Sequence, residues 1–258
     1  MNNQSHPSAR NLIVVCLALA LSAAAAPAAV LNLGSSGEGY LAGAYFSTTD
    51  IQPTGTGVFQ PFLTLQNSPW EQGYNSSTGN FDTQREPQWN HEIQLQDLRA
   101  TTIGGIAYYG FVVDINEPNA KSTSWISLDG LKIFVSSTLQ NSTSVDGNGF
   151  FNGSLGTLVF DLGDNSVRYN DQQRGSGSGD LNIFIPVSLF DGFLPTDYIY
   201  MYQRWGNTDW SQAGFEETAL RGGFVIPEIN TLFPIIGLLA AVFSTQFIRR
   251  RQLAQVSR

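Results

Sequence analysis

Residues 106–115 read Ile-Ala-Tyr-Tyr-Gly-Phe-Val-Val-Asp-Ile, and this stretch decides the fold. It is almost continuously apolar and aromatic, and β-branched and aromatic side chains favour strands. A short run of this kind is typical of a strand that is buried on both faces. The stretch therefore predicts a central strand of a sheet.

The rest of the chain also shows sequence patterns that are typical of strands and turns. Clusters of Gly, Asn, Ser and Asp, which form turns readily, separate further short apolar or alternating segments. Pro61 indicates an edge strand or a bulge in the first of them. With 26 Gly and 11 Pro, the pattern predicts an all-β fold: an antiparallel two-sheet sandwich of jelly-roll type. The predicted strands lie at residues 58–65, 92–96, 106–115, 131–135, 157–162, 181–187 and 198–202.

The N-terminal residues 1–29 have the pattern of a signal peptide helix. Arg10 lies in a polar start, residues 12–26 are apolar apart from Ser22, and Ala26-Pro27-Ala28 offers small residues to a signal peptidase. We expect cleavage after Ala28 or Ala29; the alternative is an uncleaved N-terminal anchor. Cys16, the only cysteine, lies in this segment, so the exported chain would have no disulfide.

The C-terminal residues 227–258 form a three-part segment. Pro227 and Glu228 precede an apolar span at 229–248, and Arg249, Arg250 and Arg251 follow it. Twenty helical residues at about 1.5 Å each cross a hydrocarbon layer of about 30 Å. We therefore expect a transmembrane helix at 229–248, with the arginines as a cytoplasmic stop-transfer cluster and the ectodomain, residues 30–226, outside. The alternative is a buried helix of a soluble domain.

This order of parts resembles the PEP-CTERM sorting tail of Gram-negative bacteria. The resemblance implies recognition at Pro227 and Glu228 by an exosortase-type processing enzyme. Ile229 stands where the commonest form of the signal has a second proline.

A second resemblance, to a recurring ectodomain of PEP-CTERM proteins, covers most of residues 55–217. It implies no activity, because the ectodomain carries no established one. The segments that carry this resemblance are Gly55 to Val58 with Phe62-Leu63, Glu71 to Asn75, Phe111 to Asn116, Ser127 to Leu131, and Gly214 to Glu217.

The charge balance limits the partners of the ectodomain. Residues 30–226 hold 8 of the 13 basic and 20 of the 21 acidic residues, because Arg10, four tail arginines and Glu228 lie outside, and this gives a net charge of −12. So acidic a domain argues against nucleic acid and anionic lipid as partners. It is compatible with calcium binding or with solubility outside the cell.

The sequence indicates no certain cofactor, and calcium is the one candidate. Asp114 and Asn116 end the predicted central strand on one side of it, and Asp129 opens the turn before the next strand. Carboxylate and amide oxygens are the ligands that calcium prefers. The alternative is that these acids cap turns through nearby backbone amides.

Aromatic residues in the polar stretch 69–89 suggest a binding face. Trp70, Tyr74 and Trp89, together with Trp205 and Trp210 further along the chain, are candidates for a face that stacks on sugar rings; the alternative is that they pack in the core. The sequence has no complete catalytic motif of the kinds considered next. His91-Glu92 lacks the second histidine of a zinc protease, and no Gly-x-Ser-x-Gly motif marks a nucleophile. We therefore expect no enzyme, although paired carboxylates for glycoside hydrolysis stay open.

Together these patterns predict an exported bacterial cell-envelope or extracellular protein, associated with extracellular polysaccharide. Its expected partners are signal peptidase, the exosortase-type enzyme and, through the C-terminal helix, the membrane. It would be anchored transiently before it reaches the envelope or the medium. The alternative is a carbohydrate-binding or carbohydrate-active β-sandwich protein, a lectin or a hydrolase.

Overall fold

The computed structural model describes residues 27–34, 36–49, 60–117, 124–170, 179–212 and 214–222. The expected helix of the signal peptide and the whole segment 227–258, with its expected membrane helix, lie outside the described residues. Within the described part of the chain, no helix has the length and apolar character needed to cross a bilayer.

The described residues form fourteen strands and two short 3₁₀ turns, Leu95–Asp97 and Val187–Phe190. The strands are β1 (Val30–Gly34), β2 (Glu38–Leu41), β3 (Ala44–Ser47), β4 (Pro61–Leu65), β5 (Glu71–Tyr74), β6 (Ile93–Gln94), β7 (Ala100–Ile103), β8 (Ile106–Ile115), β9 (Trp125–Ser136), β10 (Thr157–Asp161), β11 (Ser166–Asn170), β12 (Leu181–Pro186), β13 (Tyr198–Trp205) and β14 (Glu216–Leu220).

The strands form two sheets. The order in sheet one is β1-β11-β9-β13-β5, with β10 paired to β9 and β6 to β13. The order in sheet two is β2-β3-β12-β8-β14-β4, with β7 paired to β8. The β1–β11 pair is parallel and the other described pairs are antiparallel. The prediction of an all-β, mainly antiparallel two-sheet sandwich is confirmed.

Strand β8 is the predicted central strand, with the predicted bounds. It lies between β12 and β14 in sheet two. Phe111, Val113 and Ile115 belong to the main hydrophobic core. Because successive side chains of a strand point to opposite faces, Val112 and Asp114 lie on the outer face of this sheet.

Sheet one is covered on both faces. On β13, Ile199, Met201 and Trp205 belong to the main core between the sheets. Tyr200 and Tyr202 belong to a second, aromatic cluster on the opposite face, together with Phe151 from the loop after β9. The loop that follows β9 therefore packs against the outer face of sheet one.

Three details differ from or refine the sequence expectations. Pro61 begins β4, an edge strand of sheet two, at an irregularity of the β4–β14 register, as expected. The segment 92–96 is not a full strand, because Asp97 accepts a hydrogen bond from the Gln94 amide (2.8 Å) and turns the chain after two paired residues. The stretch 69–89, interpreted as a polar loop, contains the buried strand β5.

Candidate functional site

The loop after β13 presents the most exposed tryptophan of the described residues. We call residues 206–212 the Trp210 loop. The Trp210 side chain is 66% exposed, whereas Trp205, at the end of β13, is fully buried. Gly206 begins the loop with φ +85°, and a Cβ there would lie 2.6 Å from the Pro69 carbonyl oxygen. Only glycine fits so close an approach in this backbone conformation.

Asp129 holds the first half of the Trp210 loop. Its carboxylate accepts hydrogen bonds from the Asn207 amide (2.8 Å), the Thr208 amide (3.1 Å) and the Thr208 hydroxyl (2.6 Å). The Ser127 hydroxyl donates to the same carboxylate (2.5 Å) and accepts from the Asp209 amide (2.8 Å). Asp129 is thus a cap for a turn that lies far from it in the sequence.

Asp209 extends this anchor to the neighbouring strand. Its carboxylate forms a bidentate ion pair with Arg168 on β11, with Nη2 to Oδ1 at 2.9 Å. The Arg168 guanidinium also lies 4.6 Å from the centre of the Trp125 ring. The hydrogen-bonded carboxylate of Asp209 raises the pKa of Arg168 above its ordinary value. The first half of the loop is therefore bound to β9 and β11 together.

The second half of the Trp210 loop is held from another side. The Ser211 amide donates to the Pro69 carbonyl (3.0 Å), and the Ser211 hydroxyl donates to the Asn67 carbonyl (2.9 Å). The Gln212 amide lies 3.0 Å from both carboxylate oxygens of Glu117. Backbone groups on both sides of Trp210 are thus fixed, and the exposed indole is held on an anchored loop.

A pair of buried glutamates lies beneath this end of the sandwich. Glu71 on β5 and Glu216 on β14 are both 0% exposed, and their register with core residues directs both side chains into the interior from opposite sheets. Glu71 also accepts a hydrogen bond from the Asn67 amide (2.7 Å). Burial raises the pKa of Glu71 to about 7, and the negative charges of Glu117 and Asp82 add to the increase. No substrate can touch either carboxyl group in this structure.

Glu217 and Asp114 form a second acidic pair on the outer face of sheet two. The two residues are direct cross-strand partners on β14 and β8. Burial, and after it the charge of Asp114, raise the pKa of Glu217 to about 7. Strand β14 therefore has an acidic pair on each of its faces.

The structure does not bring the expected calcium ligands together. Asp114 lies on the outer face of sheet two, and the Asn116 side chain donates to the Phe215 carbonyl (3.0 Å). Asp129 belongs to sheet one, on the side of Ser127, which is opposite to the core-facing Ile126 and Leu128. No group of three or more His, Cys, Asp or Glu side chains within the described ranges is placed to hold a metal ion.

The three expected ligand-binding aromatics do not form one exposed strip. Tyr74 is fully buried in the aromatic cluster, and its hydroxyl donates to Asn141 Oδ1 (2.9 Å). Trp70 is half-buried, with its ring centre 5.5 Å from that of Phe150 in an edge-to-face contact. Trp89 is 37% exposed. Trp210 has the greatest exposure of the aromatic side chains along this end of the sandwich.

His91 has a local structural contact. Its Nδ1 donates to the Pro87 carbonyl (2.9 Å), which fixes the ring against its own loop. The neighbouring Glu92 instead accepts a hydrogen bond from the Ser77 hydroxyl (3.2 Å). The His91-Glu92 pair is therefore not assembled as an acid–base pair in this structure.

Sequence reasoning missed Glu71 and Glu216 as a pair. Each lies in a short segment noted for the ectodomain resemblance, and the two residues are 145 positions apart in the chain. No local spacing rule connects residues so far apart, because the pairing depends on how the two sheets face each other. The immediate neighbours gave no signal either, because Glu71 is followed by Gln72 and Glu216 by Glu217.

Comparison with known proteins assigns no family. No protein-family model, no curated protein and no solved structure matches this chain.

Proposed function

We propose that the chain is an exported cell-envelope or extracellular protein, without catalytic activity, that is sorted through its C-terminal segment. The observation that carries the proposal is the order Pro227-Glu228, apolar span, Arg249-Arg250-Arg251. In this proposal the span 229–248 is a transient membrane helix, and an exosortase-type enzyme acts at the Pro-Glu signal. Signal peptidase removes the first 28 or 29 residues.

The extent of the β structure supports removal of both ends. The first described strand begins at Val30, and the last one ends at Leu220. Residues 27–29 are exposed. Cleavage after Ala28 and near Pro227 would therefore leave all fourteen strands in place. The Ala29 amide donates to Asn165 Oδ1 (2.9 Å), so cleavage after Ala28 also keeps this contact.

We predict that the mature protein lacks both terminal segments. Intact-mass measurement of the protein from the cells that make it should show a start at Ala29 or Val30 and an end near residue 228. The double variant Pro227→Ala with Glu228→Ala should block the C-terminal cleavage and leave export intact, whereas Thr231→Ala, a matched control in the same segment, should be processed normally. A final product that retains Arg249–Arg251 would contradict the sorting proposal.

We further assign the jelly-roll topology to the sandwich. Its support is the strand order, in which β4-β14-β8-β12 of sheet two faces β5-β13-β9-β11 of sheet one, so that the chain alternates between the sheets as two Greek keys do. Lectin domains share this architecture, which is an argument from fold analogy alone.

A carbohydrate-binding role is the second candidate, and the anchored, 66% exposed Trp210 side chain favours it. A rigid aromatic side chain offers a large contact area at little entropic cost. The exposed residues Asn207 and Gln212 flank it with polar groups able to bind hydroxyls. Extracellular polysaccharide is then the proposed partner.

We expect Trp210→Ala to weaken glycan binding at least about tenfold, equivalent to ~1.4 kcal/mol. Because the side chain is exposed, stability should change by no more than about 0.5 kcal/mol. A glycan array, with and without calcium, identifies the ligand, and titration of that ligand compares the variants. Trp89→Ala, at a less exposed tryptophan, is the control. Unchanged glycan binding in Trp210→Ala would exclude Trp210 as the binding residue.

A further inference from the structure

Trp70 and the Trp210 loop are neighbours in space, although Trp70 and Trp210 are 140 positions apart in the chain. The Ser211 amide donates to the Pro69 carbonyl (3.0 Å). This hydrogen bond joins the peptide unit that follows Trp210 to the peptide unit that precedes Trp70. The Ser68 hydroxyl adds a second bond, to the Ser211 carbonyl (3.1 Å). With standard bond lengths, the Cα atoms of the two tryptophans are at most about 8 Å apart.

Both tryptophans belong to the outer face of sheet one. The Trp210 loop is bound there by the Asp129 carboxylate, which accepts from the Asn207 amide (2.8 Å). The Trp70 ring lies edge to face against Phe150, which belongs to the loop that packs on the same face. Trp210 is 66% exposed and Trp70 is half-buried. Both indoles therefore offer open ring surface on one side of the molecule.

The Trp70 ring rests on a support that is itself fixed. The Phe150 amide donates to the Asp146 carboxylate (3.0 Å), and the Arg204 guanidinium carbon lies 3.9 Å from the centre of the Phe150 ring. Arg204 in turn donates from Nη2 to the Asp129 carbonyl (2.7 Å). An aromatic ring held in this way binds a ligand at little cost in conformational entropy.

Two separate paths fix the positions of the two tryptophans relative to each other. The first is the direct hydrogen bond between their neighbouring peptide units. The second leads from Trp70 through Phe150 and Arg204 to Asp129, whose carboxylate binds the turn before Trp210. The contacts form a closed circuit, so the two indoles are held as one unit.

The chemistry around the two indoles fits a neutral sugar chain. Indole faces stack on the apolar faces of sugar rings, and the exposed Asn207 and Gln212 offer hydrogen-bonding groups for hydroxyls. The positive charge of Arg168, beside the loop, is already paired with Asp209. Because the ectodomain has a net charge of −12, an acidic polymer would be repelled.

We propose that Trp70 and Trp210 together form one binding site for a neutral polysaccharide chain, in which each indole stacks on a different sugar unit. This inference rests on the carbohydrate-binding role proposed above, and it adds a second binding residue and the class of ligand. Binding of one unit at Trp210 brings a further unit of the same chain to Trp70 at a high effective concentration. The affinity therefore increases with the length of the chain.

Isothermal titration calorimetry of the full chain in detergent tests the two-ring site. The probe is extracellular polysaccharide from the cells that make the protein, separated into neutral and acidic fractions and partially hydrolysed to fragments of one to six sugar units. For the wild type we expect the six-unit neutral fragment to bind at least about tenfold more tightly than the single sugar. Trp70→Ala should remove this gain and leave binding of the single sugar unchanged, and Trp70→Phe should remove only part of it. Trp89→Ala is the control and should bind as the wild type does.

The dependence on chain length is measured on the wild type, so it tests the proposal even if Trp70→Ala folds poorly. Equal affinity for the single sugar and the six-unit fragment, or unchanged binding of the six-unit fragment by folded Trp70→Ala, would overturn the two-ring site. In either case, loss of binding in Trp210→Ala would still support the carbohydrate-binding role. Absence of binding to every fragment would overturn that role as well. Tighter binding of the acidic than of the neutral fragments would overturn the assignment of a neutral ligand.

Discussion

Asp129→Ala is expected to lower the free energy of unfolding by about 2 to 4 kcal/mol. The substitution removes the acceptor of four hydrogen bonds, from Ser127, from the Asn207 amide and from both donors of Thr208. Each buried donor left without a partner costs about 1 to 3 kcal/mol. The loss of stability stays below the sum of these four costs, because Asn207 and Thr208 are exposed and water can reach this turn.

Urea unfolding at pH 7 measures this effect, which corresponds to roughly 4 to 16 °C in melting temperature at ~2 to 4 °C per kcal/mol. Asp129→Asn keeps one acceptor oxygen and should lose about half as much. Asp164→Ala, at an exposed aspartate, is the control and should stay within about 0.5 kcal/mol of the wild type. A loss below 1 kcal/mol in Asp129→Ala would show that the cap contributes little.

The same variant separates the turn cap from a calcium ligand. If Asp129 held calcium with Asp114 and Asn116, millimolar calcium would raise the free energy of unfolding of the wild type by about 2.7 kcal/mol at a hundredfold excess over Kd. The wild type would then melt at a higher temperature in calcium than in chelator. Asp129→Ala would abolish that difference. Because the Asp129 carboxylate already binds the 207–208 turn, we expect the two melts to coincide.

The fold was predictable where burial leaves a pattern in the sequence. Strand β8 is the clearest case, since both of its faces are covered and its apolar run continues through ten residues. The turns were predictable for a local reason, because Gly, Asn and Asp adopt the required conformations on their own. These signals predicted two mainly antiparallel sheets without any knowledge of which strands pair.

Strands β5 and β14 escaped prediction because polar residues occupy buried positions in them. Glu71 accepts a hydrogen bond from the Asn67 amide (2.7 Å), and Gln72 binds the Gly149 carbonyl (2.7 Å) and the Phe151 amide (2.9 Å) of a distant loop. Sequence patterns assign such residues to loops, since a buried polar group is tolerated only when it has a partner. The partners of Gln72 lie 77 and 79 positions away, beyond the range of any local rule.

The polar stretch after β5 is ordered for a similar reason. The Asn75 side chain donates to the Ile199 carbonyl (2.9 Å) and accepts from the Met201 amide (2.6 Å), so it takes the place of a paired backbone residue. Asn80 does the same for the amide and the carbonyl of Tyr74. A stretch rich in Asn, Ser and Gly is therefore fixed against sheet one, although its composition is that of a loop.

The candidate site was only partly predictable. Asp129 is a turn cap, which was the stated alternative to a metal ligand, but the turn it binds lies 78 to 79 positions away rather than next to it. Trp210 belongs to the aromatic residues of the chain, yet composition does not distinguish it from Trp205. One is exposed and the other is buried because the chain leaves sheet one at Gly206, between them.

Tyr74→Ala is expected to lower the free energy of unfolding by about 3 to 5 kcal/mol, the range for removing a buried aromatic ring. The Tyr74 ring is 0% exposed and lies 5.7 Å from Phe151, 6.2 Å from Tyr200 and 6.4 Å from Phe81, measured between ring centres. Tyr74→Phe keeps these contacts and loses only the hydroxyl, whose partners lie in the loop after β9. Tyr74→Phe should therefore lower the free energy of unfolding by about 1 kcal/mol.

Urea unfolding of both variants, with Tyr40→Ala at a 60% exposed ring as the control, distinguishes a packing role for Tyr74 from a binding role. A packing role predicts a large loss of stability in Tyr74→Ala and a small one in Tyr74→Phe and in the control. A binding role predicts weaker glycan binding with little change in stability, and that result would require Tyr74 to become exposed. The Tyr74 hydroxyl accepts from the Ser142 amide (2.8 Å) and so holds the covering loop in place. We therefore expect the result of a packing role, a loss of stability.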